Sequence, residues 1–195
     1  MATAFRKLVE ILKHISQRCE LDRDNLMSPR IVLIGPPGAG KSIIAKALAR
    51  KLVSTSIDTD SLVEQNAGKK ISEIFIEDGE PHFRNLEVAA VLEACASDAD
   101  VVALGGGAIL REESIAAISA IPNRIFLDVS ISNAAPRIGF NKDRPLLLVN
   151  PRQQWQKLMS DRRSIYQSLA TLEIATDNKK PDEVAAQILE KIGLQ

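Results

Sequence analysis

The chain has 195 residues, 45% of them hydrophobic, and 25 Lys and Arg side chains balance 25 Asp and Glu side chains. This length and composition suffice for one compact domain with its own core. A net charge of zero gives no general attraction to nucleic acid or to an anionic membrane, so we expect neither kind of partner.

The start of the chain predicts an amphipathic helix. Apolar residues recur there at helical spacing in "MATAFRKLVEILKHISQRCE", and the polar stretch "DRDNLMSP" that follows is typical of a connector. We therefore expect an N-terminal helical extension, residues 1–29, and a domain, residues 30–195. The extension is expected to dock on the domain or on a second subunit. A monomer is the expected state, with a homo-oligomer formed through this helix as the alternative.

Neither a membrane segment nor a metal cluster is indicated. The sequence has no apolar stretch long enough to span a bilayer and no secretion signal, which predicts a cytoplasmic enzyme. Cys19 and Cys95 are far apart and lack neighbours at metal-binding spacing, so we expect buried free thiols.

From residue 30 onward, short β-rich runs alternate with helical stretches. Strands are predicted at residues 30–34, 56–58, 101–104, 124–129 and 171–176. Helices are predicted at residues 43–53, 80–96, 112–120, 151–169 and 181–192. The alternation predicts an α/β fold of three layers, in which a parallel five-stranded sheet is flanked by helices.

The segment "GPPGAGKS", residues 35–42, predicts a phosphate-binding loop because it matches G-x-x-x-x-G-K-[ST] between a strand and a helix. Backbone N–H groups and the start of the next helix would face the phosphates. Lys41 would reach the terminal phosphates, and Ser42 would hold magnesium. ATP and Mg²⁺ are thus the expected cofactors, against the alternative of a tight glycine turn without a ligand. The expected nucleotide contacts within the loop and the next helix are Gly38, Ala39, Gly40, Lys41, Ser42 and Ile43.

The phosphate loop indicates a nucleotide, so the identity of the phosphate acceptor must be inferred from other segments. Four carry polar or glycine-rich patterns: "DTD" (58–60), "DGEPHFRNLE" (78–87), "LGGGA" (104–108) and "RIGFNKDRPLL" (137–147). Each alone is ambiguous. Asp58 and Asp60 are also suitable helix caps, and Arg84 with Glu87 also fits an exposed ion pair.

Together, the order and spacing of these segments resemble the shikimate kinase family from about Arg30 to the C-terminus. The resemblance implies a P-loop kinase fold of the nucleoside monophosphate kinase type, with a mobile lid at about residues 137–150. It also implies ATP-dependent phosphorylation of the 3-hydroxyl of shikimate to shikimate 3-phosphate, a step of chorismate and aromatic amino-acid biosynthesis.

The resemblance assigns roles to residues in the first three segments. Asp58 would lie near magnesium, and Asp60 would touch the shikimate hydroxyls and take the proton of the attacking one. Arg84, supported by Glu87, would grip the shikimate carboxylate. The remaining substrate contacts that it implies are two aromatic walls, Phe75 and Phe83, and the backbone of Gly105, Gly106 and Gly107.

The resemblance also assigns arginines to the later part of the chain. Arg144 in the lid would reach across the transferring phosphate, and Arg137 would contact the nucleotide. The second carboxylate-binding arginine falls on Arg162, with its neighbour Arg163 as the alternative. The implied catalytic groups are Lys41, Asp60 and Arg144.

Two rival functions are weighed. A gluconate-type small-molecule kinase would keep the phosphate loop but gives no reason for the triple glycine and for two carboxylate-facing arginines. A shikimate kinase-like sensor domain would keep the fold without its catalytic groups, although those groups are present here. Ile43 departs from the family pattern, in which a threonine usually follows Ser42.

Overall fold

The computed structural model describes residue 6 and residues 8–17, 29–138 and 151–194. Within these residues five parallel strands form one sheet in the order β2-β3-β1-β4-β5. The strands are β1 (Ile31–Ile34), β2 (Ser56–Asp58), β3 (Val101–Ala103), β4 (Asn123–Asp128) and β5 (Leu172–Ala175). Every residue of β1 and β3 is buried, as expected for central strands covered on both faces. The predicted α/β fold with five parallel strands is confirmed.

Helices connect and cover these strands. Residues 8–17 are helical and are called α1 here. The others are α2 (Lys41–Leu52), α3 (Thr59–Ala67), α4 (Ile71–Glu77), α5 (Gly79–Ala96), α6 (Glu112–Ser119), α7 (Ile131–Ile138), α8 (Pro151–Leu169) and α9 (Pro181–Lys191), with a 3₁₀ turn at Ala108–Leu110. The five helices predicted from residue 43 onward are confirmed to within two residues at each end. The sequence did not predict α3, α4 or α7.

The predicted lid needs one correction. Arg137 and Ile138, its first two residues, belong to the last turn of α7 and not to a loop. The remainder of the predicted lid, residues 139–150 with Arg144, lies outside the described residues.

Helix α1 packs on the domain. Ile15 is fully buried within the main hydrophobic core, and Ile11 and Leu12 pack against that core. The amphipathic pattern at the start of the chain is therefore explained by contacts within the chain. Assembly through this helix stays a prediction, as does the boundary at residue 29. In the part of the chain that the structure describes, no helix has both the length and the apolar composition to cross a bilayer.

Strand order positions the candidate site. The central strand β1 pairs with β3 on one side and with β4 on the other, so its carboxyl end lies where the order of connections reverses. Ligands of open α/β sheets bind at such a point. The phosphate loop follows β1, the "DTD" segment begins at the end of β2, and the triple glycine follows β3 by one residue. All three segments therefore meet at one edge of the sheet.

Candidate active site

The phosphate loop has the conformation that its sequence predicts. Gly38 and Gly40 have φ values of 82° and 86°, a region in which side chains other than that of glycine are rare. Gly40 is the N-cap of α2, so the positive end of that helix faces the loop. The Lys41 amine donates hydrogen bonds to the carbonyl oxygens of Gly35 at 2.8 Å and Pro36 at 3.0 Å, which holds it across the loop.

A cleft of about 560 Å³ opens from this loop. Its lining contains every predicted nucleotide and magnesium contact, together with Asp60: Gly38, Ala39, Gly40, Lys41, Ser42, Ile43, Asp58, Asp60 and Arg137. Arg137 donates to the carbonyl oxygens of Gly38 and Thr176, both at 3.3 Å, and so joins the loop to the end of β5. Thr176, Lys179 and Pro181 line the cleft as well, and sequence reasoning missed them because they carry no recognised motif.

Ser42 and Asp58 fit a magnesium site. They line the same cleft, one with a hydroxyl and the other with a carboxylate. Asp58 also caps α3, because its Oδ1 accepts from the backbone N–H groups of Asp60 at 2.9 Å and Ser61 at 3.4 Å. Both cap bonds end on Oδ1, so the cap does not require Oδ2. Mg²⁺ in kinases is commonly held by one or two protein oxygens together with substrate phosphates, which agrees with this sparse donor set.

Arg84, predicted to bind the carboxylate of the substrate, is a buried cation. It lies on α5 and is 9% exposed. Its Nη1 donates to Glu87 at 2.7 Å, and its Nη2 donates to Glu80 at 2.9 Å. Burial alone would lower the pKa of Arg84, but the charges and hydrogen bonds of these two carboxylates raise it. The alternative of an exposed Arg84–Glu87 pair is therefore wrong.

Glu87 is buried more deeply than its partner, with a side chain only 3% exposed. Burial raises the pKa of Glu87, and the nearby charge of Asp60 acts in the same direction. The charges of Arg84 and Arg162 oppose this shift. Glu87 thus lies in the middle of the charged groups assigned to the substrate.

The triple glycine packs closely against residues that are predicted to bind the substrate. The Gly105 N–H donates to Oγ1 of buried Thr59 at 2.9 Å, which ties this loop to the start of α3. A Cβ on Gly105 would collide with Oδ1 of Asp60 and lie 3.0 Å from Oε1 of Glu87. The absence of side chains therefore lets the backbone approach both carboxylates. Thr59 was missed in the sequence because a threonine between two aspartates carries no signal of a buried role.

The two adjacent arginines of helix α8 point toward different partners. Arg162 donates to the carbonyl oxygen of Gly106 at 3.0 Å. Arg163 instead donates to both carboxylate oxygens of Asp128, at 3.0 and 2.6 Å, and to Glu173 at 3.2 Å. Arg162 therefore faces the triple-glycine loop, residues 104–108, and Arg163 faces the ends of β4 and β5.

The two predicted aromatic walls lie beside Arg84. The rings of Phe75 and Phe83 have centroids 4.5 Å apart, and Cζ of Arg84 lies 5.2 Å from the Phe83 ring centroid. Phe83 is buried and belongs to a small second hydrophobic cluster beneath α3, α4 and α5. The aromatic pair thus supports the helix turn that carries Arg84.

These features define a P-loop kinase: a phosphate loop at the end of a central parallel strand, beside a compact group of arginines and carboxylates. The family model described as shikimate kinase matches residues 37–193. The shikimate kinase of Thermobifida fusca is 48% identical over 164 residues, which covers 84% of this chain and 95% of the relative. That of Salinispora arenicola is 45% identical over 162 residues, 83% of this chain and 96% of the relative.

A solved structure supports the same assignment. The structure of shikimate kinase from Acinetobacter baumannii in complex with shikimate has a TM-score of 0.82 to this chain and 32% sequence identity. The match covers 85% of this chain and 93% of that one. The chain belongs to the shikimate kinase family, as the resemblance predicted.

Proposed function

We propose that this protein transfers the γ-phosphoryl group of ATP to the 3-hydroxyl of shikimate, giving shikimate 3-phosphate and ADP. The observation that carries the proposal is that two arginines from different helices lie against consecutive glycines beside the nucleotide cleft. Arg84 contacts Gly107, and Arg162 binds the carbonyl oxygen of Gly106. Two planar guanidinium groups against one loop suit the bidentate binding of a carboxylate.

The nucleotide side follows from the phosphate loop. Loop N–H groups and the N-terminus of α2 would hold the phosphates, and Lys41 would leave its carbonyl partners to contact the terminal ones. Ser42 and Asp58 would hold Mg²⁺, which supplies positive charge that offsets the charge on the transferring phosphoryl group. Arg137 would contact the nucleotide from the rim of the cleft.

On the acceptor side, Asp60 would accept hydrogen bonds from the shikimate hydroxyls and take the proton of the attacking one. It lies against Gly105, between the nucleotide cleft and Glu87. Arg144, outside the described residues, would reach across the transferring phosphate, a role that rests on the family resemblance alone. A cytoplasmic location and a monomeric state stay predictions.

The test is release of ADP with Mg²⁺-ATP and shikimate, compared with gluconate, AMP and no acceptor. Phosphorus NMR should show a new phosphate-monoester resonance, absent from the starting mixture, only with shikimate. Lys41→Ala should abolish turnover without unfolding the protein, because the lysine would contact the phosphates and is not part of the hydrophobic core. Equal turnover with gluconate would favour the rival kinase, and no turnover with any acceptor would favour the sensor domain.

A further inference from the structure

Helix α8 contacts both loops of the active site through one stripe of side chains. The indole Nε1–H of Trp155 donates to the carbonyl oxygen of Pro37 in the phosphate loop at 3.0 Å. Arg162 and Tyr166 donate to the carbonyl oxygen of Gly106, at 3.0 and 2.6 Å. Gly106 belongs to the triple-glycine loop, residues 104–108, which is called the acceptor loop here. Separations of seven and four residues place the three side chains on the same face of a helix.

The two loops also touch each other at these points. A Cβ on Gly106 would lie 3.1 Å from Cδ of Pro37, so the residues that α8 binds are packed against one another. Trp155 is 4% exposed, and its hydrogen bond to Pro37 is buried. A buried carbonyl that loses such a donor is left unsatisfied, which costs free energy unless the loop shifts to find another partner.

We propose that Trp155 is a positioning residue for phosphoryl transfer. Through Pro37 it fixes the phosphate loop at a set distance from the acceptor loop, which Arg162 and Tyr166 hold on the same helix. Phosphoryl transfer depends on alignment of the attacking and leaving oxygens, so a small displacement of one loop lowers the rate more than the binding of either substrate. The proposal rests on the activity proposed above and adds the residue that positions the phosphate donor relative to the phosphate acceptor.

Trp155 is the only tryptophan in the chain, which permits a single-atom test. Expression with benzothienylalanine in place of tryptophan replaces only the indole N–H of residue 155 by sulfur and preserves the shape of the ring system. We expect kcat to fall about fivefold or more, the rate equivalent of one typical hydrogen bond. The KM values for shikimate and for ATP should stay within about twofold of those of the unsubstituted protein.

Met159→Ala is the matched control because Met159 is buried on α8 between Trp155 and Arg162. This variant loosens the packing of the helix but keeps the indole N–H. If the benzothienylalanine protein folds poorly, Trp155→Phe serves as the second variant. It keeps an aromatic ring without the N–H donor and should show the same loss of kcat.

The outcomes separate the two proposals. An unchanged kcat in an active, substituted protein would overturn the positioning role, as would an equal loss of kcat in Met159→Ala at the same loss of melting temperature. An unsubstituted protein that phosphorylates no shikimate would instead count against the proposed function.

Discussion

The guanidinium of Arg84 fills the space that a side chain on residue 107 would need. A Cβ on Gly107 would overlap Nη1 of Arg84 and lie 2.8 Å from its Cζ. The backbone of Gly107 has φ −103°, which any residue adopts, so the requirement for glycine here comes from the arginine and not from the chain conformation. The triple glycine and the "FRNLE" element thus depend on each other.

Gly107→Ala should displace Arg84 and raise the KM for shikimate at least about tenfold, which corresponds to about 1.4 kcal/mol. The KM for ATP should change by less than about twofold, because Gly107 does not line the nucleotide cleft. The test also needs steady-state kinetics on Arg84→Ala and on the double variant that combines Arg84→Ala with Gly107→Ala. If the alanine acts by moving Arg84, it should add little in the Arg84→Ala background. Fully additive effects would contradict this explanation.

Alanine substitutions of Arg162 and Arg163 should have different effects on shikimate affinity. Arg162→Ala should weaken shikimate at least about tenfold, since loss of one partner of a desolvated charged hydrogen bond commonly costs about 2–5 kcal/mol. Arg163→Ala should leave shikimate affinity nearly unchanged and lower the melting temperature, because its partners are Asp128 and Glu173. Calorimetric titration with shikimate checks both variants. The reverse pattern would assign the carboxylate to Arg163.

Glu87 should make the stability of the protein fall as the pH rises above about 4.5, its ordinary pKa. Because burial raises the pKa of Glu87, the folded state binds the proton more tightly than the unfolded state does. This contribution to stability is full below the ordinary pKa and is lost as the pH rises through the raised value. Glu87→Gln removes this pH-dependent contribution. The difference in melting temperature, natural protein minus variant, should therefore decrease as the pH rises above about 4.5. A difference that stays constant with pH would refute the raised pKa.

Ile15 should anchor α1 to the domain. Because it is fully buried in the main core, Ile15→Ala should lower the free energy of unfolding by about 2–5 kcal/mol. His14→Ala, an exposed position on the same helix, should stay within about 0.5 kcal/mol of the natural protein. Urea unfolding measures both. Equal stability of the two variants would mean that the helix does not hold its docked position in solution.

Ile43 should limit nucleotide affinity. Its side chain is 55% exposed and lines the nucleotide cleft in the first turn of α2. Ile43→Thr would place a hydroxyl donor near the phosphates and should lower the KM for ATP by about threefold to fivefold, the worth of one hydrogen bond. Ile43→Val has nearly the same shape without the hydroxyl and should leave this KM unchanged. A similar effect of both substitutions would point to the size of the side chain instead.

Of the four described helices with seven to nine residues, α3, α4 and α7 were missed and α6 was predicted. Helices this short are stabilised mainly by tertiary packing, so the local sequence specifies them weakly. The "DTD" segment is the clearest example, since its sequence indicates the end of a strand and two possible helix caps but no helix of its own. The structure shows that Asp58 caps α3 while it lines the cleft.

The sequence alone determined the parallel sheet, the phosphate loop and most of the residues around it. It did so because buried strands, the glycines of a phosphate loop and long amphipathic helices are local patterns, each set by burial or by backbone sterics within a few residues. Only the tertiary structure pointed Arg162 and Arg163 at different partners, brought Thr59 to Gly105, and joined Trp155 to Pro37 across 118 residues of chain. Those contacts depend on how strand order and helix rotation place distant segments side by side, and no local pattern carries that information.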